Sequence, residues 1–321
     1  MQPNVVFVIL NWNGENFLET CLKSILGQTY DNYNVIIVDN GSTDGSVDFV
    51  RRNFSSVVVL ALAENSGYSK GNNVGIKYAL SKYVADYILL LNNDTEIREK
   101  DWLNTMVSAI GSDEKTGIMG CRLSFPDGEI QHMGNAVTPY GFRGLALMGA
   151  RGVVFQPYTV DAIIGAVFLL KRSVIDKIGL MDEGFSPFSA EDQDYCARAR
   201  RAGYKIKVTP DAEVIHYTNQ TMKRLPSVYT RSINKRGEIR FKLLNFSLVW
   251  ILKFMVFEVY NFIAHVFERR DKTMPISPAN IRIRANWREN VAIFAMAYLY
   301  NLKNLPEILS KRVNRTKKLW Y

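Results

Sequence analysis

Two groups of acidic side chains occupy positions at which they could take part in catalysis. Asp94 directly follows the apolar run Tyr87–Leu91, in an Asn-Asn-Asp-Thr turn. A carboxylate at the end of a buried strand can ligate a divalent cation, which stabilises the charge that develops on a diphosphate leaving group. Glu191 and Asp192 are adjacent at the start of a predicted helix, and one of them could deprotonate an acceptor hydroxyl group.

Each of these positions also has a structural interpretation. Carboxylates in the first turn of a helix interact favourably with its macrodipole, and Asp194 is the best candidate for a purely structural role. His216 follows the apolar run Ala212–Ile215 and is one of three histidines. A histidine at a strand end either completes a metal site or packs structurally, and both interpretations stay open for His216.

The segments around these residues alternate in hydrophobic pattern. Short continuous apolar runs indicate strands that are buried on both faces, and stretches with apolar residues at helical spacing lie between most of them. Strand–helix–strand alternation predicts an α/β domain with a mostly parallel sheet. The apolar runs are Val5–Leu10, Val35–Val38, Val57–Ala61 and Tyr87–Leu91, and one clear helical stretch is residues 16–27.

Polar residues follow all four apolar runs. Asn, Asp, Gly and Ser dominate ordinary turns, so any one of these loops could be a plain turn. In parallel sheets, however, ligands bind beyond the carboxyl ends of the strands, and four polar loops in succession are poorly explained by turns alone. The loops are Asn11–Gly14, Asp39–Ser46, Glu64–Gly75 and Asn92–Thr95.

Composition and charge limit the classes of protein to which the chain can belong. Its 321 residues are 47% hydrophobic, which is enough for one large core, or for a core and a smaller appendage. Three widely spaced cysteines indicate reduced, buried thiols in a cytosolic protein. Residues 1–221 carry 20 Lys and Arg against 25 Asp and Glu, whereas residues 222–321 carry 20 against 6, a net charge of +14. This basic segment predicts an anionic partner, and at this level both nucleic acid and anionic lipid fit the charge.

We divide the chain into a catalytic domain, residues 1–225, and a basic, apolar-aromatic helical region, residues 226–321. Phe246–Phe267 is long and apolar but is interrupted by a lysine, a glutamate and a histidine, so a membrane-spanning helix is not predicted. Residues 291–305 form a second aromatic-rich helical stretch with basic residues after it. This pattern fits an interfacial membrane helix, and it equally fits a helical subdomain packed on the catalytic domain. No signal peptide is predicted, because no basic n-region precedes the first strand.

Seven sequence segments together indicate a family. They are VILNWNG, VIIVDNGSTDGS, ENSGYSKGNNVGI, YILLLNNDTEI, GAVFLLKRSVIDKIGLMDEGF, EDQDYCARARRAGYKI and PDAEVIHY. In this order they resemble the family-2 inverting glycosyltransferases, above all the bacterial and archaeal rhamnosyltransferase-type members, over roughly residues 4–220. The resemblance implies the GT-A fold, which has a mostly parallel central sheet flanked by helices, here with a C-terminal helical extension. It also implies a nucleotide-sugar donor and Mg²⁺ or Mn²⁺ as the cofactor.

The resemblance implies roles for the polar loops as well. Asp39 matches the residue that reads the nucleotide base, the loop at Asn11 borders the nucleoside, and the Asn65–Asn72 loop closes over the nucleotide. The donor-binding set implied in this way is Asn11, Asn13, Asp39, Asn40, Gly41, Ser42, Asn65, Gly67, Lys70, Gly71, Asn72, Asn92 and Asn93.

For the metal and the base, the resemblance implies a smaller set. Asn92 stands where the family has the first carboxylate of its Asp-x-Asp signature. This departure leaves Asp94 as the metal ligand, and His216 matches a histidine that completes the metal or diphosphate site. Asp192 matches the family's base position, with Glu191 beside it.

The predicted function is transfer of a sugar, with inversion, from a nucleotide-diphosphate-sugar to an acceptor hydroxyl. By resemblance the lead donor is dTDP-rhamnose and the acceptor is a lipid-linked glycan of cell-surface polysaccharide or glycolipid synthesis. The enzyme is then expected in the cytoplasm, peripheral on the cytosolic face of the membrane. The alternatives are a nucleotidyltransferase, whose phosphate loop would need positive charge that Asn11–Gly14 lacks, and a non-catalytic sugar- or nucleotide-binding protein. No nucleic-acid-binding motif is found, and the sequence leaves the oligomeric state open.

Overall fold

The computed structural model describes residues 2–138, 141–144, 156–217, 227–267 and 287–315. The chain divides into two units, of which the first comprises residues 1–137 and 143–221 and the second residues 138–142 and 222–321. The domain boundary predicted at residue 225 lies outside the described residues.

One large mixed sheet organises the first unit. Its strands are β1 (Val5–Asn11), β2 (Tyr33–Asp39), β3 (Val58–Ala61), β4 (Tyr87–Asn92), β5 (Thr95–Glu96), β6 (Thr116–Ser124), β7 (Ile130–His132), β10 (Tyr158–Val160), β11 (Val167–Lys171) and β12 (Lys205–His216), while β8 (Asn135–Thr138) and β9 (Gly141–Gly144) form a separate two-stranded sheet. The order across the large sheet is β10-β12-β6-β11-β4-β1-β2-β3, with β5 paired to β12 and β7 to β6. The block β4-β1-β2-β3 is parallel throughout, and β11 runs antiparallel to both of its neighbours.

Helices accompany the strands. They are α1 (Glu15–Leu26), α2 (Ser46–Asn53), α3 (Tyr68–Lys82), α4 (Trp102–Gly111), α5 (Arg172–Ile178) and α6 (Glu191–Arg201), with a 3₁₀ turn at Glu183–Phe185. Along β1, Phe7 and Ile9 point into one hydrophobic core and Val6 and Val8 into another. Because both faces of the strand are covered, its sequence is continuously apolar and does not alternate between apolar and polar residues. The predicted α/β architecture with a mostly parallel sheet is confirmed.

The parallel register brings polar residues together at one edge of the sheet. Asn11, the last residue of β1, pairs with Asp39 at the end of β2, and Leu10 pairs with Asn92 at the end of β4. The predicted strand ends at Leu10 and Leu91 were one residue too early. The backbone ladder continues through the first polar residue, because pairing depends on main-chain groups and not on side-chain polarity.

All three cysteines are buried free thiols, which confirms their predicted burial. Burial raises the pKa of Cys21 to about 12, so this thiol is protonated at neutral pH and is a poor nucleophile. The chemistry of the sheet edge therefore depends on its carboxylates, amides and histidine.

The second unit is helical. Its helices are α7 (Ser227–Asn245), α8 (Leu248–Phe267), α9 (Trp287–Lys303) and α10 (Leu305–Arg315). α7 packs against α9 and α10, and α9 also contacts α8. Ile239, Phe254 and Ala297 form a small core between them. Among the described residues, no helix has the length and apolar character needed to cross a membrane.

Candidate active site

The ends of β1 and β2 are joined by a buried hydrogen-bond network. The Asn11 amide donates to Asp39 Oδ1 at 2.9 Å, and the backbone N–H of Ser42 donates to Asp39 Oδ2 at 2.9 Å. Ser42 Oγ in turn accepts from the backbone N–H of Asn13 at 2.8 Å. Gly41 has a left-handed φ of +74°, which suits glycine and lets the chain turn back on the carboxylate. The network holds the Asp39 carboxylate in one position at the end of β2.

A second network connects the end of β2 with the loop before α3. The Asn40 side chain donates to Asn65 Oδ1 at 3.0 Å and accepts from the backbone N–H of Ser66 at 2.8 Å. Gly67 follows with a φ of +84°, and a Cβ atom there would lie 2.4 Å from Ser186 Oγ. Glycine at position 67 therefore allows the loop to approach the segment that precedes the acidic pair of α6.

The predicted Asn65–Asn72 loop is wrong in its second half, because α3 begins at Tyr68. Lys70, Gly71 and Asn72 therefore lie in the first turns of a helix, where Lys70 is exposed and the Asn72 amide donates to the Tyr68 carbonyl at 3.0 Å. The glycines that suggested a loop serve helix–sheet packing. A Cβ atom on Gly71 would lie 2.4 Å from Leu10 Cδ1, so a larger residue would push the helix away from β1.

Asp94, in the turn after β4, lies next to His216, the last residue of β12. Asp94 Oδ1 lies 3.2 Å from His216 Nε2, and the amide nitrogen of Asn92 lies 3.4 Å from the same ring nitrogen. His216 Nδ1 lies 2.8 Å from Gln131 Oε1. A neutral imidazole carries one N–H, so with the proton on Nδ1 for Gln131, the Nε2 lone pair faces the Asp94 carboxylate.

This donor set fits a divalent cation. A carboxylate oxygen and an imidazole lone pair that face each other are stabilised by a shared cation, and Gln131 orients the imidazole as outer partners of metal-bound histidines do. No cluster of three or more His, Cys, Asp or Glu side chains suited to a metal occurs in the described part of the chain. Among the described side chains, Asp94 and His216 are the pair that could hold Mg²⁺ or Mn²⁺.

Asp192 is a buried carboxylate that is held by backbone groups. Its Oδ2 accepts from the N–H of Gly165 at 2.9 Å, and its Oδ1 accepts from the N–H of Gln193 at 2.8 Å. Burial raises the pKa of Asp192 to about 6. The carboxylate is therefore mostly ionised at neutral pH. Its pKa is also close to neutral pH, which makes a carboxylate an effective general base.

Its neighbour Glu191 is a second buried carboxyl group. Burial, together with the charge of Asp192, raises the pKa of Glu191 well above its usual value. Its Oε2 is buried without a hydrogen-bond partner among the described residues. The pair is preceded by Ser189 and Ala190, which have left-handed φ angles of 95° and 68°. Such a backbone is costly for residues other than glycine.

Two further residues of the site, Tyr68 and Gly165, were not predicted from the sequence. The Tyr68 hydroxyl donates to the Gly165 carbonyl at 2.8 Å, while the N–H of Gly165 donates to Asp192. Burial and the charges of Glu191 and Asp192 raise the pKa of Tyr68 well above its usual value. One glycine thus connects α3 with the acidic pair. Gly165 is the first residue of the motif GAVFLLK, but nothing in that motif identifies Tyr68 or Asp192 as its partners.

Backbone and side-chain contacts join these groups into one site. Asn93 donates from its amide to Asn11 Oδ1 at 2.7 Å, which connects the Asp94 turn to the Asp39 network. The N–H of Asn92 donates to the Ala166 carbonyl at 3.0 Å, one residue after the glycine that binds Asp192. The structure therefore connects the Asn11–Asp39 network, the Asp94–His216 pair and the segment that binds Asp192 at one edge of the sheet. The predicted donor residues Lys70 and Asn72 are not joined to these contacts, because Lys70 is exposed on α3 and Asn72 bonds within that helix.

Asp194 stands apart from this site. Its side chain is fully buried and pairs with Arg198 Nε at 3.0 Å. Arg198 also donates to the carbonyls of Ile178 and Leu180. This geometry is that of a structural ion pair that attaches α6 to the turn after α5, since the partner charge and the carbonyls satisfy the buried groups.

Residues 6–179 match the model of glycosyl transferase family 2. The chain belongs to this family. It is 32% identical over 229 residues to the uncharacterised protein y4gI of Sinorhizobium fredii, covering 67% of this chain but 24% of that protein. It is 24% identical over 239 residues to the N-acetylglucosaminyl-diphospho-decaprenol L-rhamnosyltransferase of Mycobacterium tuberculosis, covering 68% of this chain and 77% of that enzyme.

The fold is also that of solved glycosyltransferases. The mannosyltransferase PcManGT of Pyrobaculum calidifontis, solved in complex with GDP-Man and Mn²⁺, is similar with a TM-score of 0.57 and 16% identity. The similarity covers 95% of this chain and 88% of that one. The predicted GT-A fold is confirmed by this likeness.

Proposed function

We propose that the chain transfers L-rhamnose from dTDP-rhamnose, with inversion, to a hydroxyl of a lipid-linked glycan in cell-surface polysaccharide or glycolipid synthesis. The observation that carries the proposal is the pairing of two unlike acidic sites at one sheet edge. Asp192 is a buried carboxylate with a pKa of about 6, and Asp94 faces the ring nitrogen of His216 at 3.2 Å. The first suits proton abstraction, and the second suits the charge of a departing diphosphate.

In the proposed reaction Asp192 accepts the proton of the acceptor hydroxyl while the acceptor oxygen attacks the anomeric carbon. The bond between that carbon and the diphosphate oxygen breaks in the same step, so the sugar leaves its donor with inverted configuration and the proton ends on Asp192. The Asn11–Asp39 network and the Asn40 loop orient the nucleoside. Asp94 and His216 would hold a divalent cation, whose positive charge would stabilise the diphosphate product.

Glu191 is the second carboxylate that could serve as the base, and its environment argues against that role. Burial and the adjacent charge of Asp192 raise the pKa of Glu191 well above its usual value, and both effects favour the protonated form, which cannot accept a proton. We therefore assign proton acceptance to Asp192 and a hydrogen-bond-donating role to Glu191.

The sugar and the acceptor are supported by the likeness of the chain to relatives. One of them is named as an L-rhamnosyltransferase that acts on an N-acetylglucosaminyl-diphospho-decaprenol, and the seven motifs of the chain resemble those of rhamnosyltransferase-type members. The thymidine nucleotide is proposed on the same motif resemblance.

A donor panel tests the proposal. The full chain is incubated with Mg²⁺ or Mn²⁺ and with dTDP-rhamnose, UDP-glucose, UDP-N-acetylglucosamine or GDP-mannose, and release of the nucleoside diphosphate is measured with and without a polyprenyl-diphosphate glycan. We expect acceptor-stimulated release from dTDP-rhamnose. Preference for another donor would overturn the sugar assignment alone. Pyrophosphate release from a nucleoside triphosphate would indicate a nucleotidyltransferase, and binding without turnover of any donor would indicate a non-catalytic protein.

A further inference from the structure

Helix α8 of the second unit exposes a wide apolar face. Seven large apolar side chains between Leu248 and Tyr260 are 50–72% exposed. At 100° per residue they occupy one continuous side of the helix. They are Leu248, Val249, Leu252, Met255, Val256, Val259 and Tyr260. Lys253 is the one charged residue on this exposed side in the described part of α8, and it lies at its edge. We call these seven residues the α8 face.

The opposite side of α8 carries charge into the interior of the unit. Glu258 is 5% exposed and forms an ion pair with Lys235 of α7. Lys235 also lies 3.2 Å from Glu238, which is 2.6 Å from the ammonium group of the fully buried Lys242. Glu258 of α8 and the charged groups of α7 next to it are thus paired inside, while the seven apolar side chains face outward.

This distribution is the reverse of that of a helix in water, which directs its apolar stripe inward and its charges outward. It matches helices in lipid, where charged groups face the bundle interior and pair with one another. A contiguous exposed apolar face marks a contact surface. The occupant of the α8 face must therefore be apolar.

The charge of the surrounding sequence decides between two possible partners of the α8 face, a second copy of the chain and a lipid surface. Residues 222–321 carry a net charge of +14, which would repel a second copy of the same segment but attracts anionic headgroups. No described helix is long and apolar enough to cross a membrane. We propose that the α8 face inserts into the headgroup–acyl boundary of an anionic lipid surface, with α8 lying in the plane of that surface. This goes beyond the transfer reaction and does not depend on the donor or acceptor.

Vesicle flotation of the full chain tests the proposal. The vesicles are phosphatidylcholine alone, or phosphatidylcholine with about 30% phosphatidylglycerol, at low and high salt. We expect binding to the anionic vesicles at low salt, weaker binding at high salt and little binding to phosphatidylcholine. Leu252→Glu combined with Val256→Glu should reduce the binding constant about ten-fold or more, because both side chains leave the apolar layer as charges.

Two controls keep the result interpretable. Val84→Glu changes an apolar residue of the first unit that is 92% exposed, and it should leave vesicle binding unchanged. Leu252→Ser with Val256→Ser should give an intermediate loss, and the thermal midpoint of each variant verifies that it is folded. The proposal is overturned if the full chain stays unbound to anionic vesicles at low salt, or if folded α8-face variants bind as well as the parent chain. It is also overturned if gel filtration shows a dimer that the same variants dissociate without any vesicle binding, because a second copy would then cover the face.

Discussion

The pH dependence of turnover tests the assignment of Asp192 as the base. Burial raises its pKa to about 6, whereas an exposed aspartate titrates near ~3.9. The carboxylate accepts a proton only when it is ionised, so kcat/KM should rise with pH through about 6 and level off above it. With this midpoint the ionised fraction is about 0.9 at pH 7 and about 0.1 at pH 5, so kcat/KM should fall about ten-fold over that interval.

A matched pair of variants separates the two adjacent carboxyl groups. Asp192→Asn keeps the shape of the side chain but removes the proton acceptor, so turnover should fall by about 100-fold or more, and the residual rate should lose its step near pH 6. Glu191→Gln replaces the carboxyl group with a neutral amide of the same shape, and it mimics the protonated form that burial and the charge of Asp192 favour. It should keep turnover within about five-fold of the parent chain, with the midpoint unchanged.

The assay is release of the nucleoside diphosphate at saturating acceptor and constant ionic strength, from about pH 5 to about pH 8. Donor affinity is measured separately over the same range, so that a change at the metal site is not attributed to the base. A flat profile across this range would refute the pKa assignment. Loss of turnover with Glu191→Gln but not with Asp192→Asn would show that the wrong carboxylate was named.

Three further outcomes follow from the contacts at the site and in the core. Asp94→Ala should abolish stimulation of turnover by Mg²⁺ or Mn²⁺, because the departing diphosphate loses the carboxylate that holds its counter-charge; full activity of the parent chain in excess chelator would contradict this. Gln131→Leu should weaken the apparent metal affinity by about 10- to 100-fold, measured by metal titration of turnover, because the imidazole loses its orienting partner. Gly75→Ala should lower the unfolding free energy by about 1–3 kcal/mol in denaturant titration, because the new Cβ would lie 2.3 Å from Val8 Cγ1. Gly111→Ala, whose Cβ meets nothing within 4 Å, is its control and should not destabilise.

The sequence by itself determined the architecture of the first unit. Continuous apolar runs such as Val5–Leu10 identify buried parallel strands, because a strand covered on both faces has no polar side to produce alternation. The register of such strands then aligns their carboxyl ends, and Asn11 and Asp39 do pair across β1 and β2. The candidates in the four loops were thus found from a local signal, polar residues directly after an apolar run, whereas Glu191 and Asp192 were found at the start of a predicted helix.

Contacts between distant segments carried no such signal. His216 is oriented by Gln131, 85 residues earlier, and Tyr68 reaches Gly165, 97 residues later. Gln131 and Tyr68 are ordinary residues in their own segments, so only the pairing of β7 with β6 and the packing of α3 reveal their roles. The glycines of α3 misled the sequence prediction for the same reason. Their small size is required by close packing on β1, which a local pattern cannot distinguish from a turn.

Tertiary structure also decided the orientation of α8. A helix that is apolar on nearly all sides has no periodicity from which a buried face can be assigned, so the sequence left membrane contact and internal packing equally open. In the folded unit Glu258 pairs with Lys235 inside, while Leu252 and Val256 remain 63% and 72% exposed. The ion pair selects the inward side, because a buried charge without a partner costs more free energy than an exposed apolar side chain.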